Sequence, residues 1–431
     1  MLLNHLEIKN FRSLEDVSLQ KLDRLNIIIG RNSSGKSAVF GALAFLNAIV
    51  HGQSSHDPKT ILTGHDQSRS LQMKLRFQLS PAQRRSLING IWNMKEALPR
   101  RDKAYDSAFF RQVEYAFQSS LGSPHQLHLS ELRAMAEDGL WAKIGKTVPQ
   151  GNRAKAQFKI LFGTNLQRLP VVKAGYLNVD NQENLREMDM LPNFVEAMPD
   201  GCEDIGTLLS WLGQYLKKAF FFSPFRHSEP QMSVSQNDEL SQNGSNLAQV
   251  LHTINSNNRA LLISIEEFVK SALIDIGALQ TPLKQTLTEV GFRFADGNYS
   301  VRLHEMGGGV EQLLMIATVL HATSQENVLF IEEPESHLHA GAQRFLLQKL
   351  VEDGRQVFIT SHSPTFINQS SGASLYQVRM KGNRTQIACC EARDALSDLL
   401  VDVGCRNSDM LLSDAVVFVE GPSDCEAFRL W

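Results

Sequence analysis

The stretch Leu25-Asn26-Ile27-Ile28-Ile29-Gly30-Arg31-Asn32-Ser33-Ser34-Gly35-Lys36-Ser37 constrains this chain more than any other. A short β-branched apolar run stops at Gly30, and a loop closes on Gly35-Lys36-Ser37. Ala38 to Val50 then continues with apolar residues at helical spacing. Strand, G-x-x-x-x-G-K-S loop and helix, in that order, make a phosphate-binding loop in the context its chemistry requires. Gly30 and Gly35 let the backbone wrap so that N–H groups point inward at a triphosphate. The helix start adds the positive end of its dipole. Arg31, Asn32, Ser33 and Ser34 complete the cradle, Lys36 is expected to reach the β- and γ-phosphates, and Ser37 to ligate Mg2+. An ordinary Gly/Ser turn would need neither flank. The fold class that presents such a loop is α/β.

A second stretch supplies what the loop lacks. Val328-Leu329-Phe330-Ile331 is an apolar strand that stops at Glu332-Glu333-Pro334-Glu335, and carboxylates there are costly to bury without a cation. Glu332 is therefore expected in the Mg2+ shell, and Glu333 as the general base or orienting group for the attacking water. Gln356 to Ser361 is another buried strand, and it delivers His362 to the sheet edge where such sheets bind ligands. There His362 can hydrogen-bond the γ-phosphate. Met306-Gly307-Gly308-Gly309 opens a helix and reads as a second anion site. Because the loop already holds one side of a nucleotide, Gly307, Gly308 and Gly309 are expected to face ATP bound by a second subunit. His337 and His339 form an H-x-H pair, read either as zinc ligands or as lining of that interface.

Along the rest of the chain, Leu6 to Phe11, Asp16 to Leu19 and Leu71 to Leu79 alternate as half-buried strands do. Residues 81–150 read as a helical insertion, opened by the cap Ser80-Pro81. Its Arg84, Arg85, Lys95, Arg100, Arg101, Lys103 and Arg111 form either a solvated face or a polyanion surface. Phe158 to Phe162 and Leu169 to Leu177 return to strand character. Phe220 to Arg226 reads as a buried strand ending at a proline, His227 to Ser245 as a mobile surface loop, and Leu247 to Ile276 as a helical arm. Gly291 to Phe294 and Tyr299 to Leu303 make a hairpin turned at Asp296-Gly297-Asn298. Five cysteines without a C-x-x-C pair fit a reducing, cytoplasmic compartment, with Cys389-Cys390 as strand residues. No apolar run approaches a membrane span, and no export signal is visible at Met1 to Glu7. A net charge of −3 confines any nucleic-acid surface to a local patch.

Asn10-Phe11-Arg12, the Gly30–Ser37 loop, the Met306–Gln312 helix start, Ile331 to His339 and Thr360-Ser361-His362-Ser363-Pro364 occur in the order of ABC-type ATPases. The chain resembles their RecF/SMC-like group and, within it, the overcoming-lysogenization-defect (OLD) nucleases, over roughly residues 1 to 390. The resemblance implies an ABC-type P-loop ATPase head with helical insertions, a homodimer or higher homo-oligomer, ATP, Mg2+ and DNA. Two residues depart from the pattern. Glu332 stands where such ATPases carry aspartate, and glycine near Gly307-Gly308 replaces the signature serine.

Val416 to Val419 is a further apolar strand ending in an acid, Glu420, with Asp424 four residues on. Carboxylates so placed can converge on Mg2+ or Mn2+. Glu420 and Asp424 resemble the first motif of a Toprim nuclease domain. Such a domain also needs an aspartate pair on a later strand, so the sequence as written is expected not to cleave DNA. The implied domains are an ATPase head over 1–80 and 151–395, the insertion at 81–150, and a linker with the first Toprim strand at 396–431. The implied function is the ATPase head of an OLD-family DNA endonuclease in bacterial anti-phage defence, with a defence-system protein or nucleic acid as a further partner and no membrane. The alternatives are a RecF-like repair ATPase without nuclease, and an ATP-gated scaffold holding a toxin or nucleic acid.

Overall fold

The computed structural model describes residues 1–50, 60–85, 111–137, 140–150, 153–161, 175–177, 211–273, 275–294, 299–368 and 372–390. The chain opens with an antiparallel hairpin, β1 (Leu2–Phe11) and β2 (Leu14–Gln20), in which Leu6, Ile8, Val17 and Leu19 are buried. β3 (Leu25–Ile29) is buried throughout and leads through the phosphate loop into α1 (Lys36–Val50). β4 (Gln72–Gln78) turns Met73, Leu75 and Phe77 inward, while Lys74 and Arg76 pair with Glu7 and Glu114. β5 (Gln112–Ser120), β6 (Ser123–Glu137), β7 (Leu140–Gln150), β8 (Arg153–Leu161) and β9 (Gly175–Leu177) extend this into an eight-stranded antiparallel sheet, ordered β2-β1-β4-β5-β6-β7-β8-β9.

The expected helical insertion over 81–150 is corrected by these strands. Helix is present at the expected cap, where Gln83 N–H donates to Ser80 Oγ at 3.3 Å and Ser80 N–H to Gln83 Oε1 at 3.1 Å. Residues 86–110, with Lys95, Arg100, Arg101 and Lys103, lie outside the described residues. From Gln112 the backbone is strand, because Val113, Tyr115 and Phe117 recur at period two and are buried.

β10 (Ala219–Phe222) begins the second half. The segment after it, expected to be mobile, is fastened: the N–H groups of His227 and Glu229 donate to the carbonyls of Asn243 and Ser245, each at 3.0 Å. It includes β11 (Met232–Ser233). The expected arm is two helices, α2 (Leu247–Asn257) and α3 (Arg259–Ala272), broken at Asn258, whose side chain caps the second. Leu251, Leu262, Ile265 and Val269 bury these helices in the core, so neither projects as an arm. β12 (Ala278–Gln280), β13 (Leu283–Lys284), β14 (Leu287–Thr288), β15 (Gly291–Phe294) and β16 (Tyr299–Arg302) form two small sheets, and β15 pairs with β16 as the expected hairpin. Its turn lies outside the described residues.

α4 (Gly308–Ala322), β17 (Val328–Glu332), α5 (Ala340–Glu352), β18 (Gln356–Ser361), α6 (Pro364–Asn368), β19 (Ser374–Lys381) and β20 (Arg384–Cys389) complete a six-stranded sheet ordered β10-β17-β18-β3-β19-β20. Its strands are parallel except for β20. Period-two alternation gives the sheet two apolar faces. Ile28, Phe330 and Phe358 pack with Val39, Phe40 and β1 on one side, whereas Ile27, Ile29, Ile331 and Ile359 pack with α2 to α5 on the other. Phe221, Phe330 and Phe358 are register partners and stack at 4.6 and 4.7 Å across three strands. With the strands parallel, β3, β17 and β18 all end at one edge. That edge holds Gly30, Glu332 and His362.

Gln356 joins the two sheets. Its amide accepts from Leu3 N–H at 3.0 Å and Tyr215 Oη at 3.0 Å, and donates to Leu3 O at 2.6 Å. Gln356→Leu strands these buried groups and is expected to lower unfolding free energy by about 3 kcal/mol, read from urea denaturation. A loss under about 0.5 kcal/mol would show that water replaces the amide there.

Candidate functional site

The phosphate loop is held from behind by β19 and β20. A Cβ on Gly30 would lie 2.2 Å from the Val378 carbonyl oxygen, so only glycine fits beside that strand. Gly35 sits at φ +103°, and a Cβ there would be 2.0 Å from Thr385 Oγ1. Thr385 Oγ1 lies 3.0 Å from the Ser34 carbonyl and 2.8 Å from Ser13 Oγ, and its N–H donates to Ser13 O at 2.9 Å. Within the loop, Lys36 Nζ donates to the Gly30 and Arg31 carbonyls at 2.7 and 3.0 Å. Burial lowers the Lys36 pKa, while Glu333, Glu335 and Glu332 pull it back up.

The acids meet this loop where β17 ends. Ser37 Oγ donates to Glu332 Oε2. Burial raises the Glu332 pKa against that hydrogen bond, and the neighbouring Glu333 charge raises it further. Glu333 has a left-handed backbone, φ +45°, fixed by its N–H donating to the Thr360 carbonyl at 2.9 Å. Glu335 is 4% exposed, and its Oε1 accepts from Ser361 Oγ at 2.6 Å and His362 N–H at 2.9 Å. Its Oε2 is buried with no hydrogen-bond partner. His362 Nδ1 lies 3.5 Å from Glu335 Oε1 and 3.8 Å from Glu333 Oε1. Ser37, Glu332, Glu333 and His362 are thus brought together from the start of α1 and the ends of β17 and β18. Among the described residues no group of three or more His, Cys, Asp or Glu side chains forms a metal site by itself. A cation here would take Ser37 and Glu332 and complete its shell with phosphate oxygens.

Gly307 caps α4, and Gly307 and Gly308 are exposed. Two of the three glycines also have a packing reason within the chain. A Cβ on Gly308 would be 3.2 Å from His337 Cγ, and one on Gly309 only 2.6 Å from the His337 carbonyl oxygen. His337 itself is left-handed, φ +63°, and His339 Nδ1 accepts from Ala342 N–H at 3.3 Å as the cap of α5. Each histidine of the H-x-H pair therefore has a packing or capping duty. Glu420 and Asp424 lie outside the described residues. Sequence reasoning missed Arg226, 6% exposed, which donates to the carbonyls of Glu332 and Glu333 at 2.7 and 3.0 Å. The available sign was a lone arginine just past an apolar run, the same sign that singled out Glu332.

Parts of the chain match known families and proteins. The family model "AAA domain, putative AbiEii toxin, Type IV TA system" matches residues 215–368, and "AAA ATPase domain" matches residues 1–110. An OLD nuclease from Thermus scotoductus is 22% identical over 98% of this chain and 72% of its own length. An ATP/GTP phosphatase from Helicobacter pylori is 22% identical over 85% of this chain and 86% of its own. The DNA replication and repair protein RecF of Lactococcus lactis subsp. cremoris is 39% identical over 61 residues, spanning 14% of this chain and 17% of RecF. Among solved structures, an SMC head bound to the C-winged helix domain of ScpA covers 92% of this chain at 12% identity, with a TM-score of 0.49. Over those two stretches the chain has a P-loop ATPase fold of the AAA type. It is a homologue of an OLD nuclease along nearly its whole length.

The raised Glu332 pKa has a consequence for stability. A carboxyl that holds its proton more tightly when folded adds stability below its ordinary pKa, and loses it as pH rises through the raised value. Ionised Glu332 therefore destabilises the nucleotide-free protein at neutral pH. Glu332→Gln is expected to raise the melting temperature at about pH 8 and to lose that advantage near about pH 4. A lower melting temperature at both would contradict the assignment.

Proposed function

We propose that this chain is the ATP-binding and ATP-hydrolysing head of an OLD-type DNA endonuclease in bacterial anti-phage defence. ATP sets its dimer state and, through that, a Toprim nuclease. The observation that carries the reading is the convergence of Ser37, Glu332, Glu333 and His362 on the phosphate loop. The likeness to an OLD nuclease across 98% of the chain supports the nuclease half. The residues fit Mg2+: Ser37 touches Glu332, burial raises the Glu332 pKa, and Glu335 Oε2 is buried without a partner. Mg2+, when bound, neutralises charge on the β- and γ-phosphate oxygens.

Residue by residue, the loop N–H groups from Gly30 to Ser37 cradle the triphosphate. Lys36 exchanges its two loop carbonyls for phosphate oxygens. Glu333 accepts a hydrogen bond from the attacking water and draws its proton away, and His362 donates to the γ-phosphate. A second subunit adds Gly307, Gly308 and Gly309 at the exposed start of α4, which makes the working unit at least a homodimer. Glu420 and Asp424 are assigned as Mg2+ or Mn2+ ligands of the nuclease on their sequence pattern. DNA is the nuclease substrate, and a defence-system protein or nucleic acid the further partner. A second reading, a RecF-type repair ATPase without nuclease, is favoured by the RecF match to a short stretch of the chain.

Lys36→Ala is expected to abolish ATP binding, measured by calorimetry, with the melting temperature retained. Parental affinity in it would remove the ATP assignment. Glu333→Gln is expected to bind ATP and hydrolyse it about 10²-fold or more slowly, since only the water-activating charge is lost. Light scattering of that variant with ATP is expected to report a dimer, and a monomer would count against the second-subunit glycines. In a protein that carries a whole Toprim domain, Glu420→Ala is expected to stop metal-dependent DNA cleavage and spare ATP turnover. A protein with parental ATPase and no cleavage under any metal would select the RecF-type reading.

A further inference from the structure

Arg226 lies four residues past the end of β10, outside every motif that the sequence singled out. It is 6% exposed, and its guanidinium sits over the Phe222 ring at 4.7 Å. All three of its nitrogens are engaged. Nε donates to Gln312 Oε1 at 2.6 Å, Nη1 to the Glu332 carbonyl at 2.7 Å, and Nη2 to the Glu333 carbonyl at 3.0 Å. Gln312 belongs to the first turns of α4, the helix that opens at Gly308, and is itself 4% exposed. Beside it, Glu311 Oε1 accepts from Ser228 N–H and Ser228 Oγ, both at 2.6 Å, so the segment is pinned to α4 twice.

The position of these bonds gives them a meaning beyond packing. Glu333 is a non-glycine residue with a left-handed backbone, a conformation that costs about 1–3 kcal/mol unless its surroundings enforce it. Thr360 holds its N–H and Arg226 holds its carbonyl, so both flanking peptides of Glu333 are fixed. With the backbone fixed, the direction in which the Glu333 side chain leaves it is fixed too. A single planar fork with donors at three set angles can serve three acceptors at once, whereas an ammonium cannot reproduce that spacing. A hydrophobic or structural role alone would not require the two carbonyls to be those of the two acids.

We infer that Arg226 is a positioning residue for ATP hydrolysis: it locks the Glu333 backbone to the α4 helix, so the water-activating carboxylate is aimed only while α4 is docked. This rests on the ATPase reading above. It goes further by making the Gly-rich helix and the water-activating acid one mechanical unit. The link runs through Gln312.

The test is steady-state ATP turnover and ATP affinity for the parent, Arg226→Lys, Gln312→Met and the pair Arg226→Lys/Glu333→Gln. Arg226→Lys is expected to lower kcat about 10- to 10²-fold with the ATP dissociation constant within about threefold of parental, the signature of a misplaced group. Gln312→Met removes the acceptor on the buried Nε, and about a three- to tenfold fall in kcat is expected together with a lowered melting temperature. In the Glu333→Gln background, Arg226→Lys should lower turnover no further, because Arg226 acts through Glu333. Parental kcat in Gln312→Met, or a further multiplicative loss in the double variant, would overturn the inference. A rise in the dissociation constant that matches the fall in kcat would do the same. Failure of Arg226→Lys to fold leaves Gln312→Met to decide. Absence of ATP turnover in the parent would instead overturn the ATPase reading, and the inference with it.

Discussion

Three carboxylates crowded at the end of one apolar strand govern the rest of this structure. Glu332 ends β17, Glu333 and Glu335 follow it closely, and a charged carboxylate is costly to bury there without a partner. Two buried cations answer them from opposite sides, Lys36 from the phosphate loop and Arg226 from the segment after β10. Burial depresses the guanidinium pKa to about 10, and the same three acids pull it back. A divalent cation beside Glu332 would offset charge on that carboxylate and on phosphate oxygens at once.

Parallel strand order makes that arrangement possible. Because β3, β18 and β17 are adjacent and parallel, Ile29 pairs with Ser361 and Thr360 with Glu332, so three chain segments far apart in sequence end side by side. Several tight backbone constraints lie at this edge. Gly30 and Gly35 are pressed by β19 and β20, Glu333 and His337 adopt left-handed conformations, and Gly309 touches the His337 carbonyl. Strain of this kind persists only where packing on both faces of the sheet over-determines it. The stacked phenylalanines and the isoleucine layer supply that packing.

What was legible in the sequence was whatever one segment could state by itself. The phosphate loop, the acids after Ile331 and the histidine after Ser361 each announce themselves through an apolar run and its abrupt end, and the parallel strands bring the three ends to one edge. The helical reading of 81–150 failed from Gln112 onward because its charged residues hid a period-two pattern that only cross-strand pairing makes decisive, as Arg76 and Arg133 against Glu114 show. Gly308 and Gly309 looked like an anion site alone, since nothing local reveals the approach of His337. Arg226 and Thr385 were missed for the same reason: their partners lie 86 to 107 residues away in one case and more than 350 in the other.

The central claim is that Ser37 and Glu332 form the protein's half of a cation site completed by a nucleotide. Its most direct test is equilibrium ATP binding by the parent and by Ser37→Ala, each with and without Mg2+. The account predicts that Mg2+ tightens ATP binding to the parent about tenfold or more, and that Ser37→Ala loses this gain while keeping the Mg2+-free affinity. An equal response to Mg2+ in both proteins would contradict it.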